Sequence, residues 1–193
     1  LINNEGNTGD KVNLDGDFAV TITNTPTDAQ LATIDAATTG TISYGSDNDV
    51  TVTDQSVTAS YLNTLDGDTT GSVNASAVTM ITGTASEIKT VYASSGISGL
   101  GNEVITLSAS SAAATDLNTI NDATTGLITA TAVSTVSGSA SELTILAGNE
   151  GTSGDKVNLK ADVLVTVNDG TATAAQLNTI NAMTTALVTA TGI

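Results

Sequence analysis

Apolar residues recur along this chain as spaced pairs rather than long runs. An opening residue, Leu31, Leu62, Ile88, Leu117, Leu143 or Leu177, is followed three positions later by Ile34, Leu65, Val91, Ile120 or Ile180; after Leu143 the nearest matches are Ile145 and Leu146. An i, i+3 pair predicts a helix with one buried face. Four residues before the opener stands Thr27, Thr58, Thr84, Ser139 or Thr173, side chains that satisfy free backbone donors of a first helical turn. The pairs Thr27/Gln30, Thr84/Glu87, Ser139/Glu142 and Thr173/Gln176 add the second half of a capping box. The Leu117 copy has Ala113 at the cap position, which leaves its start less well marked. Nine residues after the opener comes Gly40, Gly71 or Gly126, with Gly96 one residue early and Ala186 in the last copy. The resulting Thr-Thr-Gly end predicts a C-terminal stop. A helix of about two turns does not persist alone in water, so each must pack on something.

The partner is predicted to be β. Thr41-Ile-Ser, Val50-Thr-Val, Val78-Thr-Met-Ile81, Val104-Ile-Thr-Leu107, Leu127-Ile-Thr-Ala130 and Val163-Leu-Val-Thr-Val167 are short, β-branched runs of the kind that form strands. Each unit is then a capped helix, a turn, a strand, a bend and a second strand. Units begin 31, 26, 29, 26 and 34 residues apart. A unit of that size cannot bury its own apolar face, so neighbours must stack. The predicted fold is an α/β repeat solenoid with strands stacked in parallel. The leucine-rich signature Leu-x-x-Leu-x-Leu-x-x-Asn is absent. The alternative is a pair of duplicated small α+β domains.

A longer period encloses the short one. Leu1-Ile-Asn-Asn-Glu-Gly-Asn-Thr-Gly-Asp-Lys-Val-Asn-Leu14 returns at Leu146–Leu159, an offset of 145, and Gln30-Leu-Ala-Thr-Ile-Asp35 returns at Gln176–Asn181, an offset of 146. Residues 1–193 therefore divide into one long repeat, 1–145, and the start of another, 146–193, in one continuous array. Neither end reads as a polar cap, which makes a segment of a longer protein the expectation, with head-to-tail neighbours as partners.

Composition narrows function. The chain has no Cys, His or Trp, one Phe and one Pro, and 4 basic against 20 acidic residues for a net charge of −16. Nucleic acid and anionic membranes call for basic surfaces, so neither is an expected partner. No apolar run reaches membrane-spanning length. Without His or Cys, the commonest general base and the thiol nucleophile are missing, and the acids fall mostly in turns. No enzyme activity is expected.

Two binding chemistries stand out. Asp15-Gly-Asp17, Asp47-Asn-Asp49 and Asp66-Gly-Asp68 each place two carboxylates on one short segment, and hard oxygen donors suit calcium. These six aspartates are the candidate metal ligands and calcium the candidate ion, although Asp, Asn and Gly also favour turns for their own reasons. Asp10-Lys-Val-Asn-Leu and Asp155-Lys-Val-Asn-Leu follow Gly-rich turns, as in the calcium-binding Gly-Gly-x-Gly-x-Asp nonapeptide, but the second Gly is missing. Thr21/Thr23, Thr51/Thr53 and Thr129/Thr131 put two hydroxyls on one side of a strand, a surface suited to ice or a glycan; these pairs do not recur at one place in the unit.

Asp116-Leu-Asn-Thr-Ile-Asn-Asp-Ala-Thr-Thr-Gly126, the segment Val73–Glu87 and Tyr92-Ala-Ser-Ser-Gly-Ile-Ser-Gly-Leu-Gly-Asn-Glu103 resemble the tandem repeats of giant cell-surface or secreted proteins of marine unicellular cyanobacteria. The resemblance covers nearly the whole chain and carries no catalytic motif. It implies a secreted or cell-surface location and a structural, adhesive or surface-layer role, with some members linked to motility. The sequence reading is thus an extracellular, non-catalytic scaffold, with a surface-binding adhesin as its alternative.

Overall fold

The computed structural model describes residues 20–22, 34, 42–44, 49–168 and 170–190. The candidates Asp15, Asp17 and Asp47, the opener Leu31, the Thr27/Gln30 cap pair and Gly40 lie outside them. Five helices are described in full: α1 (Ala59–Asp68), α2 (Ala85–Ala93), α3 (Ala114–Ala123), α4 (Ala140–Asn149) and α5 (Ala174–Ala182). Ile34 is helical as well. At nine or ten residues they run somewhat longer than the apolar pair alone required. Capping boxes start α2, α4 and α5 at Thr84/Glu87, Ser139/Glu142 and Thr173/Gln176, and the Thr58 hydroxyl accepts from the Tyr61 N–H in α1. The α3 helix begins after Ala113 with no side-chain cap; burial of Leu117 and Ile120 holds it instead.

The strands are β1 (Val20–Ile22), β2 (Ile42–Tyr44), β3 (Val50–Thr51), β4 (Ser56–Thr58), β5 (Val73–Asn74), β6 (Met80–Gly83), β7 (Ile97–Ser98), β8 (Val104–Leu107), β9 (Ser111–Ala113), β10 (Ile128–Ala130), β11 (Thr135–Gly138), β12 (Val157–Leu159), β13 (Leu164–Val167) and β14 (Val188–Ala190). They form four sheets, ordered β1-β2, β3-β5-β7, β12-β10-β8-β6-β4 and β14-β13-β11-β9. Every pairing among them is parallel. The fold is α/β with parallel sheets.

The register is regular where the helix spacing is not. Ser56 pairs with Met80, Met80 with Val104, Val50 with Val73 and Ser111 with Thr135, so partners lie 23 or 24 positions apart. Ile128 with Val157 and Thr135 with Leu164 are 29 apart, because both connections contain the Gly-rich loop at 151–156. The expected unit of one helix and two strands holds from α1 to α2 and from α3 to α4. Between α2 and α3 there are three strands, β7, β8 and β9, which accounts for the longer helix spacing there.

One apolar cluster runs through the described residues. Leu62, Ile88, Leu117 and Leu143 have no exposed surface, nor do Ile120, Leu146 and Ile180. After Leu143 it is Leu146 that faces the core, while Ile145 is 54% exposed. Inward strand positions supply Ile81, Ile105, Ile128 and Val157, consecutive partners in one sheet. Burial of this kind is worth roughly 1.5–3 kcal/mol for each large aliphatic side chain. Small residues set the helix against the strands: a Cβ on Gly83 would stand 2.9 Å from that of Ala59, and one on Gly138 2.9 Å from that of Ala114.

Candidate functional site

The outward face of the five-stranded sheet has an order that the sequence spacing concealed. Side chains alternate along a strand, so with Val57, Ile81, Ile105, Ile128 and Val157 inward, their neighbours point out. Register places Thr58 beside Thr82, Thr82 beside Thr106, Thr106 beside Thr129 and Thr129 beside Asn158. Four threonines and an asparagine therefore form one column at the strand spacing of about 4.8 Å. Two positions earlier runs a second column, Ser56, Met80 and Val104, with Met80 38% and Val104 37% exposed. The paired threonines anticipated from sequence do not make a double rank: Thr51 and Thr129 lie in strands, but Thr131 is in a turn.

The three described aspartates of the candidate metal set are not brought together as a cluster. Asp49 precedes β3 and accepts from the Ser72 N–H at 2.9 Å and the Ser72 hydroxyl at 2.7 Å. The backbone bond first and the hydroxyl second hold its carboxyl below the usual aspartate value. Asp66 and Asp68 lie in the last turn of α1, not in a free turn, and residues two apart on a helix do not face each other. Asp66 Oδ2 accepts from Ser94 Oγ at 2.7 Å, which ties the end of α1 to the end of α2. Among the described residues no three acidic side chains gather into a metal-holding group.

Glu103 was not singled out by sequence reasoning, yet among the described residues it is the acidic side chain with no exposed surface. Its carboxylate receives the Gly101 N–H at 2.9 and 3.0 Å and the Tyr92 hydroxyl at 2.9 Å. Burial first, and the charge of Glu103 second, push the Tyr92 phenol above its ordinary value. The arrangement meets the buried carboxylate with two donors. A groove of about 260 Å³ lies between the first turn of α2 and the strands β9 and β11, lined by Thr84, Ser86, Ser111, Thr135 and Asp116. Asp116 is paired there with Lys89 of α2.

The Thr-Thr-Gly ends turn out to be anchors. The first hydroxyl accepts from the backbone N–H two residues on, at Thr69/Gly71, Ser94/Gly96, Thr124/Gly126 and Thr184/Ala186. It also donates downward: Thr124 to the Glu103 carbonyl at 2.9 Å and Thr184 to the Val163 carbonyl at 2.6 Å. The stop is thus a hydroxyl turn in extended backbone rather than a left-handed glycine, since among the described residues the positive-φ glycines are Gly99, Gly101 and Gly154. Gly126 is small for a different reason: a Cβ there would meet the Glu103 carbonyl oxygen at 2.2 Å.

No protein-family model, curated protein or solved structure matches the chain. Among the described residues no helix is long and apolar enough to cross a membrane.

Proposed function

We propose that the chain is a solenoid segment of an extracellular structural protein, and that its work is to be a stiff, soluble, non-catalytic scaffold. The observation that carries this reading is the ladder Val57, Ile81, Ile105, Ile128 and Val157. Five parallel strands register one apolar position above the next, at a step that survives changes in connection length. Stacking of successive turns accounts for that register. Many of the polar groups described serve as caps and anchors, and the long period of about 145 residues suits an array whose neighbours continue head to tail. Secretion or surface display is supported by the resemblance to surface-protein repeats, and the acidic, Cys-free composition accords with it. Electron microscopy of the material as it occurs in its source tests the reading. Long fibres or a cell coat are expected; discrete, compact monomers would overturn it.

A second reading, a surface-binding adhesin, is favoured by the column Thr58, Thr82, Thr106 and Thr129 together with the exposed Met80 and Val104. It covers ice, a glycan, or attachment through calcium held by Asp15, Asp17, Asp47, Asp49, Asp66 and Asp68. Calcium is tested by chelation: a lowered unfolding midpoint that magnesium restores poorly supports it, and an unchanged midpoint removes it.

A further inference from the structure

The strand that follows each helix changes sheet in steps. After α1 and α2 it is β5 and β7, both in the sheet β3-β5-β7. After α3 and α4 it is β10 and β12, both in the five-stranded sheet, and after α5 it is β14, in the sheet with β13, β11 and β9. The three-strand connection between α2 and α3 visits all three of these sheets in turn. A circuit of the chain therefore has three places, and a helix stands where one of the strands would otherwise be. The helices α1 and α2 stand in the place that β9 and β11 take later. The next two, α3 and α4, stand in the place that β7 held, and α5 stands in line with the five-stranded sheet. The helix at Ile34 is followed by β2, β3 and β4 before α1, so it stands in the same place as α5. Ile34 and Ile180 are 146 positions apart, the long period of the sequence.

Resting on the stacked-scaffold reading, we infer that the helices form a row that winds round the stack, moving on by one place at the three-strand connection between α2 and α3 and again between α4 and α5, where β13 and β14 on either side of α5 share one sheet, and regaining its first place after one long period. The physical cause is a mismatch of widths. Strands stack about 4.8 Å apart, whereas packed helix axes need about 8–10 Å. A helix directly above a helix in every layer would force the stack to bend open on that side. Moving the row to a new place after two helices shares the surplus width round the perimeter and keeps the stack straight. The surplus residues measure that displacement: helix starts at Ala59, Ala85 and Ala114 are 26 and 29 positions apart, against 23 or 24 for most strand partners. At the first step, Tyr92 of α2 and Thr124 of α3 both bond Glu103, and Lys89 of α2 pairs with Asp116 of α3, so the step is pinned from both helices. One functional consequence is that no side of the scaffold is all sheet: the threonine column stops where α5 takes the next place after β12.

The chain has no cysteine, so nitroxide labels can be placed in pairs at Ser60, Thr115 and Ala175, each exposed and second in its helix, and their separations read by pulsed electron paramagnetic resonance on the full 193-residue chain. In a winding row the Ser60–Ala175 separation is about two-thirds of the sum of the other two, given the layer and helix spacings. A separation equal to that sum means a straight row and overturns the inference, while leaving the scaffold reading to the microscopy. The same comparison at Thr64, Thr119 and Thr179, also exposed, replaces any pair that shifts the unfolding midpoint.

Discussion

The Thr124 hydroxyl donates to the carbonyl of Glu103 across 2.9 Å, joining the end of α3 to the corner beneath it, 21 positions earlier in the chain. That contact brings two backbone turns so close that Gly126 has no room for a side chain.

Gly126→Ala is expected to destabilise by about 1–3 kcal/mol, the usual cost of forcing extra volume into a packed site, because the obstacle is a backbone carbonyl rather than a flexible side chain. Gly148→Ala should do the reverse. It lies within α4 with nothing within 4 Å of the new Cβ, so it gains about 0.5–1 kcal/mol in helix formation. Chemical denaturation of both variants checks the pair; equal effects would remove the contact argument.

Tyr92→Phe removes one of the donors to the buried Glu103 carboxylate. Leaving a buried acceptor short of its partner costs about 1–3 kcal/mol. Glu103→Gln in the same background should recover part of the loss, since an amide carries no charge to neutralise. A thermodynamic double-mutant cycle measures the coupling.

Asn118 Nδ2 donates to the Glu142 carbonyl at 2.9 Å, and Asn63 makes the matching bond to Glu87 at 3.1 Å. These bonds lace α1 to α2 and α3 to α4. Asn118→Ala should cost about 0.5–1.5 kcal/mol. The same change at Asn178, which is exposed on α5, should stay within about 0.5 kcal/mol. Unfolding midpoints of the two variants separate a lacing bond from a residue that merely repeats a motif.

Glu87 and Glu142 are held below the ordinary glutamate value of 4.5, first by the backbone N–H and then by the hydroxyl of Thr84 and Ser139. A lowered folded value means that the capping contribution is complete above about pH 4.5 and is lost as pH falls through the folded value. The parent should therefore lose stability as pH falls below about 4.5. The double variant Glu87→Gln, Glu142→Gln should match it near pH 7, because Gln176 caps α5 in the same way, and should fall less steeply in acid. Midpoints measured across that range decide it.

The helices and the strands were legible because their signals are local. A cap hydroxyl, a Glu or Gln three residues on and an apolar pair lie within one helical turn or two, and each described copy became a helix. The strand runs at Val50, Val104, Leu127 and Val163 likewise contain β3, β8, β10 and β13, and the run at Val78 overlaps the first half of β6. Parallel pairing was also within reach, since a short unit repeated along the chain can bury its apolar side only against the next copy.

What the one-dimensional pattern could not carry were relations set by distance across the fold. The units as marked by their helices are 26 to 34 residues long, whereas the sheets keep a step of 23 or 24 in most pairs. The alignment of Thr58, Thr82, Thr106 and Thr129 therefore appears only when strands are paired. Asp66 and Asp68 read as a turn because Asp and Gly favour turns, but packing of Leu62 and Leu65 carried α1 through them. Glu103 shows no local peculiarity at all; its burial depends on Tyr92 arriving from α2 and Thr124 from α3. Local chemistry chose the elements, and packing and pairing across the fold chose where each one stands.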